Sequence, residues 1–166
     1  MPVDADGNLF GLSDVTLRRG QRDDAPALFR LEQEVFHLEQ LPVRSFQRYL
    51  RIASADLIVA DHRGDCVGYG LATYRADRRA GWLISLAVST RASGRGVGMA
   101  LLQAIEAAAR GRGSAALKLE TRADNEAAIR LYERAGYRRT GLKRDYYGDH
   151  CNAVVYERDL SDFYKA

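Results

Sequence analysis

Trp82-Leu-Ile-Ser-Leu-Ala-Val88-Ser-Thr-Arg-Ala-Ser-Gly94-Arg-Gly96-Val-Gly98 decides the fold. Leu83 to Val88 is a short apolar run rich in strand formers, Ser89 to Gly94 is polar and turn-like, and Met99 to Ala109 is strongly helix-forming. The order is strand, glycine-rich loop, helix. Glycines at 94, 96 and 98 leave the backbone amides unshielded where a helix begins, and that helix end carries partial positive charge. An anionic ligand, most naturally a diphosphate, suits such a turn. Spacing excludes the common phosphate loops: a dinucleotide fingerprint begun at Gly94 needs a glycine where Met99 stands, and no Gly-Lys-Ser/Thr follows. A purely structural reading also exists, in which the glycines only make a tight strand-to-helix turn.

Upstream, Val15 to Arg19 predicts a first strand, and Asp23-Asp24-Ala25-Pro26 a helix start with Leu28, Leu31 and Val35 on one face. A second helix is predicted from Val43, with Phe46, Tyr49, Leu50 and Ala53 at helical spacing. Asp56 to Asp61 and Cys66 to Tyr74 predict a hairpin about His62-Arg63-Gly64-Asp65. Downstream, a strand at Ala115 to Thr121 makes a βαβ unit whose two strands run parallel. Ligands of such units lie at the carboxyl ends of the strands, here Val88 to Gly98 and Glu120 to Asn125. Asp124 to Ala135 predicts a helix stopped by Gly136, and Tyr137 to Leu142 and Ala153 to Leu160 two last strands joined by a polar, aromatic loop. Met1 to Asp14 reads as a loose arm in which Leu9, Phe10 or Leu12 can dock, and residues 15–166 as a single domain.

The 166 residues include 25 basic and 22 acidic side chains mixed in sequence, for a net charge of +3. The pI near 9.0 therefore argues no nucleic-acid partner, because no basic run or aromatic-interleaved stripe accompanies it. Cys66 and Cys151 stand alone, as do His37, His62 and His150, so no metal site is expected. No apolar stretch approaches membrane-spanning length and the N-terminus has no signal-peptide pattern, which points away from a membrane and toward a reducing cytoplasm. No heptad or exposed apolar stripe announces an oligomer.

Four separated pieces then carry a resemblance: Leu86-Ala87-Val88; Gly94-Arg95-Gly96-Val97-Gly98; Leu119-Glu120; and Asn125 followed by Ala128-Ile129-Arg130-Leu131-Tyr132-Glu133-Arg134-Ala135-Gly136-Tyr137. In this order and spacing they resemble the GCN5-related N-acetyltransferases (GNAT), from about Val15 to Leu160. Within that superfamily Leu119-Glu120 ahead of Asn125, and Asp145-Tyr146-Tyr147 before Ala153, look most like the ribosomal-protein alanine N-acetyltransferase (RimI-like) branch. The resemblance implies an α/β sandwich with a mixed central sheet of about six to seven strands and about four helices. It also implies acetyl-CoA as co-substrate, held at a splay between the two central parallel strands, and no metal.

It further implies that Leu86, Ala87 and Val88 pair their backbone with the pantetheine arm, and that Gly94, Arg95, Gly96, Val97, Gly98 and Met99 hold the pyrophosphate. Asn125 hydrogen-bonds the cofactor arm, Glu120 serves as base or positions the amine, and Tyr132 donates to the departing sulfur. Ser93 departs from the family pattern, which has Arg or Gln there; the backbone amides remain, with Arg91 or Arg95 as substitutes for the lost side chain. Each residue also has a local reading: Tyr132 as core, Asn125 as a helix cap, Glu120 as an exposed strand residue. Tyr146 and Tyr147 are candidates for the acceptor wall, or pack their loop against the sheet.

Transfer of an acetyl group requires a neutral amine. An α-amine of pKa about 7.7–8.0 is deprotonated at pH 7 for ~1.4 kcal/mol, a lysine near 10.4 for ~4.6 kcal/mol. A carboxylate base therefore suits an α-amine better than a lysine. Proton transfer from an ordinary tyrosine to a thiolate of pKa about 8.5 is uphill by roughly 2 kcal/mol, so a hydrogen bond that strengthens as charge develops is the better description. The sequence-level reading is transfer to a protein N-terminal α-amine, with a small-molecule amine or a lysine as the alternative acceptor. The reading of another class is a non-catalytic acyl-CoA sensor.

Overall fold

In the computed structural model, which describes residues 10–161, the run at Ala80–Val88 forms strand β4. It belongs to a seven-stranded sheet of order β1-β2-β3-β4-β5-β7-β6. The other strands are β1 (Thr16–Arg19), β2 (Ala55–His62), β3 (Asp65–Thr73), β5 (Ala116–Arg122), β6 (Arg138–Lys143) and β7 (Ala153–Asp159). Four helices accompany them: α1 (Ala25–Val35), α2 (Val43–Tyr49), α3 (Val97–Gly111) and α4 (Glu126–Arg134). The sheet is mixed, because β1 pairs β2 antiparallel, β4 pairs β5 parallel, and β7 lies antiparallel to both β5 and β6. The architecture is the α/β sandwich expected.

By their contacts the described residues form two compact units, one of residues 10–72 with 85–105, the other of 73–84 with 106–161. In the first, α1 and α2 give Leu28, Leu31 and Phe46 to a core with Leu57, Val59, Tyr69 and Leu71. Each large side chain buried there contributes roughly 1.5–3 kcal/mol against exposure. Helix α2 stops at Tyr49, earlier than its periodicity suggests, and Leu50 and Ile52 pack on that core as partly buried residues. The β2–β3 hairpin turns at Arg63 (φ 51°) and Gly64 (φ 92°), two left-handed residues that match the twist of the strands they join. Of the arm predicted over residues 1–14, residues 1–9, Leu9 included, lie outside the described residues. Phe10 does dock: it is buried and stacks on His62 with ring centroids 4.2 Å apart.

In the second unit the parallel ladder joins Ala80 to Ala116 through Leu83 to Leu119. β4 then continues to Val88 and β5 to Arg122. β5 buries Leu117 and Leu119 and presents Lys118, Glu120 and Arg122 on its other face. Tyr132, Tyr137 and Tyr156 cluster edge to face or tilted, with Tyr132 5.8 and 6.4 Å from the other two rings. The buried Glu106 accepts from Tyr137 at 3.3 Å and from Arg158 at 2.6 Å, which satisfies both its oxygens.

Candidate active site

The expected cofactor residues of the first unit form one continuous segment. Ala87 is buried and its carbonyl lies so near Gly68 that a Cβ there would stand 3.0 Å from it. The turn after β4 is fixed by α1. Glu34 Oε1 accepts from Ser89 Oγ at 2.8 Å and from the amide and hydroxyl of Thr90, both at 3.0 Å. Burial acts against the charge of Glu34, and these hydrogen bonds outweigh it, holding its carboxyl below the ordinary value. No local pattern announces Glu34, because its partners lie 55 and 56 residues away.

Gly94 (φ 73°) and Gly96 (φ 83°) occupy the left-handed region, and nothing lies within 4 Å of where a Cβ on Gly94 would stand. Glycine is needed at 94 for the backbone path, not for space. α3 begins at Val97, two residues before the predicted start, so Gly98 and Met99 belong to its first turn. Burial of Val97 anchors that turn, and a helical glycine adopts α geometry at a cost of about 1 kcal/mol. The Ala100 amide already donates to the Gly96 carbonyl at 3.0 Å, so the amides that a helix leaves unpaired are those of Val97, Gly98 and Met99. With no acidic residue in the first turn, this end suits a diphosphate. Arg91, one of the two residues expected to substitute for a side chain at Ser93, lies 3.7 Å from Asp65.

The second unit brings together the expected acceptor-side residues. Glu120, 16% exposed at its side chain, is ion-paired to Lys143 at the end of β6. Val155 of β7 pairs with Glu120 on one side and Gly141 on the other, so Lys143, two residues beyond Gly141, shares the sheet face of Glu120. Arg122, two residues beyond Glu120, grips Asp124 and Asp149 with paired hydrogen bonds, at 3.0 and 3.0 Å and at 3.0 and 2.6 Å. The second grip ties the β6–β7 loop to the end of β5.

Each cation also lies against one tyrosine of that loop. Lys143 Nζ is 5.1 Å from the Tyr146 ring centroid, Arg122 is 5.0 Å from that of Tyr147, and the two rings meet edge to face at 5.1 Å. Burial, then the charge of Glu120, pushes the Tyr147 phenol up to about 12. Tyr132 is buried, and burial followed by its neighbour Tyr147 lifts its phenol well above the ordinary tyrosine value. Among the described residues no hydrogen bond engages the Tyr132 hydroxyl.

Asn125 caps α4: its Oδ1 accepts from the Ala128 amide at 3.1 Å, which leaves its two Nδ2 hydrogens for another acceptor. A further cavity of about 600 Å³ in this unit is lined by Trp82, Lys118, Arg138 and Glu157 among others, and by none of the expected site residues. Among the described residues no group of three or more His, Cys, Asp or Glu could hold a metal ion, and no helix is long and apolar enough to cross a membrane.

Residues 24–137 match the acetyltransferase (GNAT) family. An N-alpha-acetyltransferase RimI of Mycobacterium tuberculosis is 32% identical over 153 residues, covering 89% of this chain and 94% of its own. The [ribosomal protein bS18]-alanine N-acetyltransferase of Escherichia coli is 29% identical over 137 residues, covering 80% of this chain and 86% of its own. A crystal structure of the E. coli ribosomal-protein-S18-alanine N-acetyltransferase superposes with a TM-score of 0.80 at 26% identity, covering 89% of this chain and 94% of that one. The chain belongs to the GNAT family. It is an N-acetyltransferase of RimI-like sequence whose acetyl donor is acetyl-CoA.

Proposed function

We propose that the acceptor is the α-amino group of a protein N-terminus and that Glu120 and Tyr132 carry the transfer. The observation that carries this reading is the carboxylate of Glu120, which lies on β5 with its charge acting on Tyr147 and already holds an amine, that of Lys143, which itself lies over the Tyr146 ring. Acetyl-CoA supplies an acetyl thioester. Glu120 takes the proton of the acceptor amine, directly or through water, and an α-amine gives it up at pH 7 for roughly 3 kcal/mol less than a lysine does. With the Tyr132 phenol raised by burial, outright proton loss to sulfur is costlier than for an ordinary tyrosine. Its role is a hydrogen bond that strengthens as charge gathers on the departing sulfur.

On the donor side, the reading puts the pantetheine arm on the backbone of Leu86, Ala87 and Val88, which lie further along β4 than the last ladder pair, Leu83 with Leu119. The pyrophosphate lies on Gly94, Arg95, Gly96, Val97, Gly98 and Met99, and one Nδ2 hydrogen of Asn125 on the arm. Tyr146 and Tyr147 line the acceptor's path. The words N-alpha-acetyltransferase and alanine N-acetyltransferase in the names of the relatives support the α-amine, and two cysteines free of any disulfide support a reducing, cytoplasmic setting.

The test is CoA release with paired peptides beginning in Ala or Ser, one with a free and one with a blocked N-terminus. Turnover of the free peptide alone is the expected result. Equal turnover of both makes lysine the acceptor, and turnover of neither leaves a small amine or an acyl-CoA sensor. Glu120→Gln and Tyr132→Phe are expected to bind acetyl-CoA normally and to lose about 10²–10⁴-fold in kcat.

A further inference from the structure

We propose that Lys143 is a resident stand-in for the acceptor amine: its Nζ occupies the position beside Glu120 that the acceptor's amino group must take, and it sets how tightly acceptors bind. This rests on Glu120 being the residue that receives the amine.

The arrangement has the parts such a role needs. Lys143 and Glu120 share one sheet face through their common neighbour β7, and the ion pair is the side-chain partner of the Glu120 carboxylate among the described residues. Lys143 is 46% exposed, so its flexible stem can swing into solvent without opening a core. The Tyr146 ring under its Nζ is a surface that any ammonium group, its own or an incoming one, can use. The groups facing the pair are Arg122, which is committed to Asp124 and Asp149, and the phenols of Tyr146 and Tyr147. None of them is a second carboxylate, so an acceptor amine arriving at Glu120 meets Lys143 as its competitor.

Lys143 does not react in the acceptor's place. Its hydrogen bond to Glu120 raises its amine above the ordinary lysine value, so it stays protonated and has no lone pair to offer. An α-amine, already close to neutrality at pH 7, can both displace it and react.

The test is steady-state kinetics with a free N-terminal peptide on Lys143→Met and Lys143→Arg. Removing the stand-in is expected to lower the peptide KM about two- to fivefold, the factor an exposed ion pair is worth, with kcat changing less than KM. Lys143→Arg, which keeps a cation there, is expected to restore the wild-type KM. Ethylammonium, as a small probe of the vacated position, is expected to inhibit Lys143→Met competitively against peptide with an inhibition constant about two- to fivefold lower than for the wild type. A KM that rises or stays unchanged in Lys143→Met overturns the proposal and makes Lys143 an anchor of its loop. Glu120→Gln reports separately on the reading beneath it: wild-type turnover in that variant removes Glu120 from the chemistry whatever Lys143 does.

Discussion

Asn125 performs one task with one half of its amide and keeps the other half open, which lets the two be separated. Asn125→Ala is expected to lose about 1 kcal/mol of stability in denaturant unfolding, the worth of an N-cap. Asn125→Asp keeps an oxygen toward the Ala128 amide and removes the Nδ2 donor. It is expected to unfold like the wild type while its KM for acetyl-CoA rises severalfold. Gly94→Ala forces a β-carbon onto a left-handed backbone and is expected to cost about 1–2 kcal/mol and to weaken acetyl-CoA binding, though nothing crowds the new methyl. Residues of this kind were legible in the sequence because helix caps and left-handed glycines are set by near neighbours. Glu34 and Lys143 were not, since their partners lie 55 and 23 residues away and neither residue type is unusual in its own segment.

Elements were legible where apolar spacing is strong and blurred where a side chain from elsewhere decides the end. α3 starts at Val97 because that side chain is buried, a fact of tertiary packing that the glycine pattern cannot contain. The β6–β7 loop was legible as polar and aromatic, but its tether was not: Arg122 reaches Asp149 27 residues on. The Arg122 hydrogen bonds, the largest influence on Asp149, lower its carboxyl from the ordinary 3.8 to about 2. A depressed carboxyl stabilises above its unfolded value and loses that contribution as pH falls through its folded one. The tether is therefore expected to be intact above pH 3.8 and to be lost as pH falls toward about 2. The NMR signals of the Tyr147 ring and the Cys151 amide, which contact Arg122 and Asp149, are the place to see it. In Arg122→Gln the same carboxyl is expected to titrate near its ordinary value.

At the scale of the whole molecule the strand count and the parallel β4–β5 pair followed from the sequence, because a helical crossover leaves that pairing as the natural one. The exchange of β6 and β7 in the order did not, since a hairpin pattern says that two strands pair and not which of them meets β5. Deleting Ala153–Asp159 removes the neighbour of both β5 and β6, and the shortened chain is expected in the insoluble fraction on expression. The same order bears on how the chain is made. Synthesis runs from the N-terminus at about 5–20 residues per second, so β5 leaves the ribosome seconds before β7 follows to cover it. For that interval the polypeptide carries the strand that bears Glu120 with one edge bare, a liability for a chaperone to shield until β7 has emerged.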